Sequence, residues 1–580
     1  MLSIPAAAAA SSAPLDAPGG WASHGLPAYG VVSATLKVRP SDRPALRPSA
    51  ALEAARNEFE PFQIIVVAGD EALRAVSLTH GAALTDAAGH VIDRRHLTFF
   101  RVGYYDVGTP SNREGAAGPW PDPLLPDVDA YVGERRNAFP FDVPPRQTRA
   151  IWVDVFVPPS TPPGLYRGSL VLERLRGPRG SARARDTIPL ALRVGAFTLP
   201  STATLRTAFG MDFAEPCMAH TGTPSCSAEW DEEPACELRA RYLAAALDHR
   251  FSISDVAFQP PFGGSAGPFQ RWLQPLIDGR GHTRLAGARL TAIRLDEQPD
   301  RLGRWLALAR AQGFLERLFY FPVDEPDPDT QHDWAALRQA AEPLRRFNPR
   351  ARLALTAALG AARRHKVSEL VDIFVPVVNY LDPRPESGDA VHRADYRAWL
   401  ATRPGRELWS YQSCMSHGCG ECGDPSPELA DTGWPSRVID SSAVQNRAFP
   451  WIAFLHGLSG ELYFAATEQL ATAWEPNGLC KFSGHGDGTL FYPGTPARIG
   501  GRTHIPIESI RAKMLREGLE DHEYLVLAAR RDRSKTIELA QALFPHAFAC
   551  AQPVQALERA RHRLFALLDG AGAASAEAPR

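Results

Sequence analysis

Leu318-Phe319-Tyr320-Phe321-Pro322-Val323-Asp324-Glu325-Pro326 is the stretch that decides the fold. A short aromatic and aliphatic run stops abruptly at two acids and a proline. Such a run reads as a strand buried on both faces, because a covered parallel sheet needs apolar side chains above and below. The acids then mark the point where the strand gives way to a loop. Gln331–Phe347 follows with the spacing of an amphipathic helix. Strand, acidic loop and helix together make one unit of an alternating β/α architecture.

The unit recurs outward in both directions. Leu205–Met211, Ile253–Phe258, Leu290–Leu295, Arg352–Thr356, Asp372–Val377, Leu408–Tyr411 and Gly460–Phe464 are candidate strands beside Leu318–Val323. Helical stretches at Glu237–His249, Arg301–Gln312, Gln331–Phe347, Ala390–Thr402 and Ala443–His456 lie between them. Eight strands with helices in this rhythm predict a (β/α)8 TIM-type barrel. The rival is a doubly wound open sheet, but no Gly-rich phosphate loop follows any early strand. Before Leu199 the pattern is different. Val31–Val38, Phe62–Val67, Leu97–Tyr104, Ala150–Val157, Gly168–Leu172 and Thr187–Val194 are short β-branched runs punctuated by Gly, Pro and Asp, as in a sandwich of hairpins. The charged amphipathic run Ser509–Ala529 opens a closing set of helices. The expectation is an α/β and β multidomain chain. It has a leader over 1–28, a β-sandwich over 29–199, a catalytic (β/α)8 barrel over 200–506, and helices over 507–575 packed on the barrel.

A chain of 580 residues exceeds what one core supports, in keeping with several domains. The formal net charge of −2, with arginines scattered among acids, argues against a nucleic-acid partner and suits an uncharged substrate. No apolar run reaches the roughly 18–20 residues of a membrane span. Met1 to about Pro14, rich in Ala and Ser, reads either as the tail end of a secretory signal or as a disordered leader. Cys217, Cys226 and Cys236 form one group and Cys414, Cys419 and Cys422 another. Disulfides pinning loops of an exported protein are the first reading; free thiols and a zinc site are the others. The expected location is secreted, periplasmic or cell-surface, with a signal sequence incomplete or absent.

On a (β/α)8 barrel the reacting groups lie at the C-terminal ends of the strands. Asp324 and Glu325 occupy such a position. Two adjacent acids in poor solvation should drive one towards its neutral form, as a general acid needs. Adjacent residues cannot straddle a sugar ring like carboxylates about 5–5.5 Å apart in retaining glycosidases or about 6.5–9.5 Å in inverting ones. They suit a reaction in which the 2-acetamido oxygen of the substrate attacks the anomeric carbon. Glu325 would then be the acid and later the base, and Asp324 would orient the acetamido group. A 2-acetamido-2-deoxy hexoside in a glycan or glycoconjugate is the substrate this implies, with no cofactor and no metal. Asn379, Tyr380, Trp409, Tyr411, Gln412, Tyr463, Phe464 and Trp474 lie at or after strand ends and are candidate sugar-binding residues. Glu468 is a further candidate for the mouth. Asp212 is the carboxylate to inspect for a glycosidase without acetamido assistance. A non-catalytic carbohydrate-binding barrel is the alternative from another class.

Several passages together resemble glycoside hydrolase family 123. They are Gly118-Pro-Trp-Pro-Asp-Pro-Leu-Leu-Pro126, Trp152-Val-Asp-Val-Phe-Val-Pro158, Val323-Asp324-Glu325-Pro326, Trp409-Ser410-Tyr411-Gln412, Gly486-Asp-Gly-Thr-Leu-Phe-Tyr-Pro-Gly494 and Arg516-Glu-Gly-Leu-Glu-Asp-His-Glu-Tyr-Leu525. The resemblance implies a β-sandwich followed by a (β/α)8 barrel, N-acetyl-β-galactosaminidase activity, and Asp324 and Glu325 as the catalytic pair. Three departures fall in the expected sugar pocket, one of them Ser410 between Trp409 and Tyr411, where a second aromatic is common in the family. Phe464 stands where the family usually has tryptophan, and the insertion over Cys414–Cys422 is unusual. The acids of Glu520–Glu523 are expected on a structural or solvated helix face, and His485 and Asp487 in a loop-shaping role.

Overall fold

The computed structural model describes residues 29–570 apart from 177–181, 227–231, 259–265, 296–298, 348–350, 385–392, 418, 420–431 and 482–483. The N-terminal part is built from two facing sheets. The first runs in the order Tyr29–Ser33, Glu58–Val67, Thr148–Val157, Leu97–Val107 and Gly118–Pro126. The second runs Ala50–Arg56, Ala182–Thr198, Gly164–Arg176, Leu73–His80 and Phe141–Val143. Alternation explains the core between them. Ile64, Val66, Ile151, Val153 and Val155 of one sheet meet Leu170, Leu172, Leu190 and Leu192 of the other, all almost fully buried. Each strand read from the sequence before residue 199 has a counterpart in these sheets, although the one read over Val31–Val38 ends at Ser33. Ala50–Arg56 and Leu73–His80 were hidden by alanine and polar content that the alternation rule does not register.

The first sheet does not end within this region. A hairpin of Phe491–Gly494 and Ile505–Ser509 adds to Gly118–Pro126 through the pairings Glu508 with Leu124 and Ser509 with Pro123. The long helix Ile510–Arg531 starts directly from that hairpin, with Ser509 accepting the Ala512 N–H as its cap. It is buried for most of its length despite its charge. Arg511 pairs with Asp122, Arg516 and Lys513 with Asp154, and Arg447 with Asp521. The acids of Glu520–Glu523 are therefore structural.

The region after residue 200 holds helices and curled parallel sheets. One sheet runs Arg206–Phe209, Gly460–Tyr463, Glu407–Tyr411, Ile373–Phe374 and Ala354–Leu355; Ile293–Arg294 and Leu318–Phe319 make a second. Parallel bridges join Phe209 to Ile253 and Tyr320 to Leu353. The inner faces enclose Ala208, Ala292, Phe319, Phe321, Ala354, Ile373, Val375 and Trp409. Trp409 fills so much of this space that a Cβ on Gly460 would lie 2.6 Å from its indole. The helices Glu232–Asp248, Pro299–Gln312, His332–Phe347, Arg393–Ala401 and Ala443–His456 fall where periodicity placed them. One segment differs: the strand expected over Ile253–Phe258 stops after the Ile253 bridge and becomes a 3-10 turn over Asp255–Phe258. There the Asp255 carboxylate accepts the Met211 N–H at 3.0 Å, tying the turn to the end of the neighbouring strand.

Candidate active site

Asp324 and Glu325 follow the strand Leu318–Phe319, and both are exposed. Each has its own partner from another strand end. The Thr356 hydroxyl, just past Ala354–Leu355, donates to Asp324 Oδ1 at 2.8 Å. The Tyr411 hydroxyl, ending Glu407–Tyr411, donates to Glu325 Oε1. Alternation puts these side chains on the inner face: Ala354 and Thr356 share one side of their strand, and Glu407, Trp409 and Tyr411 share one side of theirs. Burial, followed by the carboxylate of Glu325, pushes the Tyr411 phenol well above its ordinary range, so the phenol keeps its proton and acts as a donor. Glu325 adopts φ +41°, in the left-handed region, and precedes Pro326. For a non-glycine residue that backbone costs roughly 1–2 kcal/mol.

Around the pair lie other groups. Tyr380 is 45% exposed and is an electrostatic neighbour of the Tyr411 phenol. Asn379 donates to the Ser416 carbonyl at 2.9 Å, and its Oδ1 is buried without a hydrogen bond among the described residues. Gln412 is 1% exposed, and neither of its amide atoms is hydrogen-bonded among the described residues. Phe464 is half-buried against Tyr463, with ring centroids 5.1 Å apart.

Three of the aromatics that the sequence offered as sugar-binding candidates are committed elsewhere. Trp409 lies a layer deeper than Tyr411, fully buried, and its indole N–H donates to Glu407 at 2.7 Å. Tyr463 is buried, donating to Asp487 at 2.5 Å and accepting from the Gly488 N–H at 2.7 Å. Trp474 donates to the Pro493 carbonyl at 2.9 Å and packs on Tyr492, beside the hairpin that extends the sandwich. Asp212 is exposed and accepts the Ala214 N–H. Glu468 pairs with Lys481 at 2.9 Å.

Sequence reasoning passed over Thr356, Asp255 and Arg294. Burial raises the Asp255 carboxyl, with the Arg294 guanidinium pulling it down. Arg294 lies 5.1 Å from the Phe321 ring. Arg294 and Thr356 stand two residues after the inward-facing Ala292 and Ala354, and Asp255 two after the bridge residue Ile253, but no motif marks them.

The neighbouring loops are braced. Cys414 and Cys419 are disulfide-bonded directly after Tyr411, and the Cys414 N–H donates to Asp487 at 2.7 Å. A second disulfide joins Cys217 to Cys226. His485 contacts Tyr105 at 3.1 Å and the Thr109 carbonyl at 2.7 Å, in the loop-shaping role expected of it. Among the described residues no group of three or more His, Cys, Asp or Glu is placed to hold a metal ion. No helix among them is long and apolar enough to cross a membrane.

A family 123 glycoside hydrolase from Clostridium perfringens, whose structure was analysed for glycolipid glycan hydrolysis, overlays at a TM-score of 0.64 and 12% identity, covering 93% of this chain and 97% of that one. A glycosyl hydrolase family 2 member from Bacteroides cellulosilyticus overlaps at only 0.24, with 11% identity, 71% of this chain and 44% of that one. A β-galactosidase-like protein from Bacteroides fragilis gives 0.23, with 11% identity, 75% and 56%. No curated protein sequence matches the chain. Residues 37–174 match the model of the glycoside hydrolase 123 N-terminal domain. The chain therefore carries that N-terminal domain and shares the fold of a family 123 glycoside hydrolase.

Proposed function

We propose that this protein is a retaining glycoside hydrolase that cleaves a β-linked N-acetylhexosamine, GalNAc-like, from a glycan or glycoconjugate. In this reading Glu325 protonates the leaving oxygen, and the acetamido oxygen of the substrate attacks the anomeric carbon. Asp324 orients that acetamido group and stabilises the positive charge that develops on it. Water activated by Glu325 then opens the cyclic intermediate with net retention. The observation that carries the reading is the division of partners. Two adjacent carboxylates are held apart by different hydroxyls, Thr356 on Asp324 and Tyr411 on Glu325, so each can take a distinct role.

The parallel bridges at Phe209–Ile253 and Tyr320–Leu353, with the Arg294 N–H donating to the Ser254 carbonyl at 3.0 Å, support linking the curled sheets into one (β/α)8 ring. That ring would set all these strand ends on one mouth. Asp255 is a poor candidate for a direct nucleophile, because its two oxygens already accept from Met211 and Ser254. The disulfides Cys217–Cys226 and Cys414–Cys419 favour an exported location. The C. perfringens protein, described for glycolipid glycans, makes a glycolipid glycan a natural first substrate to try.

The test is the anomeric configuration of the first sugar released, followed by NMR. A β-configured product supports the two-step reaction, and an initial α-anomer contradicts it. Glu325→Gln should lower turnover by roughly 10²–10⁴-fold on substrates with poor leaving groups.

A further inference from the structure

Thr356 is 4% exposed, and one hydroxyl serves both acids. Its Oγ1 accepts the Glu325 N–H at 2.7 Å and donates to Asp324 Oδ1 at 2.8 Å. A hydroxyl has one proton and two lone pairs, so both bonds form at once. The bond to Glu325 bears on an unusual backbone. Glu325 has φ +41° although it carries a Cβ and precedes a proline, and both features disfavour that conformation. Such a conformer persists only where its surroundings hold it. Two contacts do so: Thr356 at the backbone N–H and Tyr411 at the carboxylate. Tyr411 holds only the far end of Glu325. Thr356 is the contact that reaches both residues.

We propose that Thr356 is the positioning residue of this site. Its hydroxyl locks Glu325 in the left-handed conformation and aims the Asp324 carboxylate, so that two acids adjacent in sequence present themselves in different directions. Thr356 acts through the acids, without taking part in bond making. Its β-branched side chain has few χ1 rotamers, which keeps the hydroxyl between its two partners. The catalytic part of the inference rests on the hydrolase reading above; the geometric part does not.

The test compares wild type, Thr356→Val and Thr356→Ser. Valine keeps the shape and removes both hydrogen bonds. It should lower kcat roughly ten- to a hundredfold, the effect of losing hydrogen bonds to a charged group. KM should change by less than about threefold, because binding contacts remain. Serine restores the hydroxyl and should recover most of the lost turnover. In crystals of Thr356→Val, Glu325 should leave the left-handed region and the Asp324 carboxylate should turn. Should valine fail to fold, Thr356→Ala removes the hydroxyl without adding bulk. Wild-type kcat in the valine variant, or no rescue by serine, would overturn the proposal. So would unchanged geometry of both acids in the crystal, a result that needs no activity at all. If Glu325→Gln retains full turnover, the hydrolase reading fails instead, and the crystal comparison alone judges the positioning role.

Discussion

At the residue scale, the candidate site depends on hydroxyls that hold two adjacent carboxyl groups on separate partners. Tyr411→Phe removes the donor to Glu325 and leaves the rest of the strand end in place. It should reduce kcat/KM roughly tenfold or more, measured by steady-state kinetics beside wild type. Asp324, Glu325 and Tyr411 were legible in the sequence because an apolar run that stops marks a strand end, and an acid or phenol there is conspicuous. Thr356 was not, because a lone threonine carries no motif and its two partners lie 31 and 32 residues away in sequence. Trp409 and Tyr463 show the opposite failure. Alternation gives the face of a strand, but not how deep along it a side chain sits, and their polar atoms were already used by Glu407 and Asp487.

At the element scale, the helix Ile510–Arg531 joins the sandwich to the rest of the molecule through buried charges. Asp154, on the sandwich strand Thr148–Val157, receives Arg516 at 3.0 Å and Lys513 at 2.7 Å. Burial alone would raise its carboxyl, but Arg516 and Lys513 outweigh that and hold it well below the usual range. Asp154→Asn removes the counter-charge that two buried cations share, leaving Lys513 with Glu508 and Arg516 with Glu517, and should destabilise the protein by about 3 kcal/mol. A fall in the denaturant midpoint measures this; a midpoint within error of wild type would contradict it. The helix itself was easy to read from its periodicity. Its burial was not, because charge on so many positions normally marks a solvated face, and the partners Asp122 and Asp154 lie more than 350 residues earlier. The hairpin Phe491–Gly494 with Ile505–Ser509 was missed for a related reason: its short strands acquire meaning only from the sandwich sheet they extend.

At the scale of the whole molecule, the buried junction should make stability depend on pH. Burial, with Arg561 opposing it, pushes Glu58 up to about 7, and burial together with Glu520 pushes Glu517 to about 8. From about 4.5 upward the unfolded chain releases these protons while the folded one keeps them, so stability falls as pH rises through that window. Glu508 has the opposite sign. Burial would raise it, but Lys513, His249 and Arg284 bring it down to about 2, so its contribution is lost as pH falls from about 4.5 towards that value. Thermal unfolding followed from pH 3 to 9 should therefore peak near about pH 5; a maximum above pH 8 would go against this assignment. The mixed character of the fold, facing β-sheets first and parallel strands with helices after, was legible from the change between alternating strands and β/α units; the closed barrel read from the same pattern stays a proposal. The function turns on whether the two acids act with an acetamido group. The most direct test is hydrolysis of nitrophenyl β-glycosides of GalNAc, GlcNAc, galactose and glucose by wild type and Asp324→Asn. The account predicts cleavage of the acetamido sugars alone, lost in the variant. Cleavage of galactose or glucose at an equal rate, or full activity in Asp324→Asn, would contradict it.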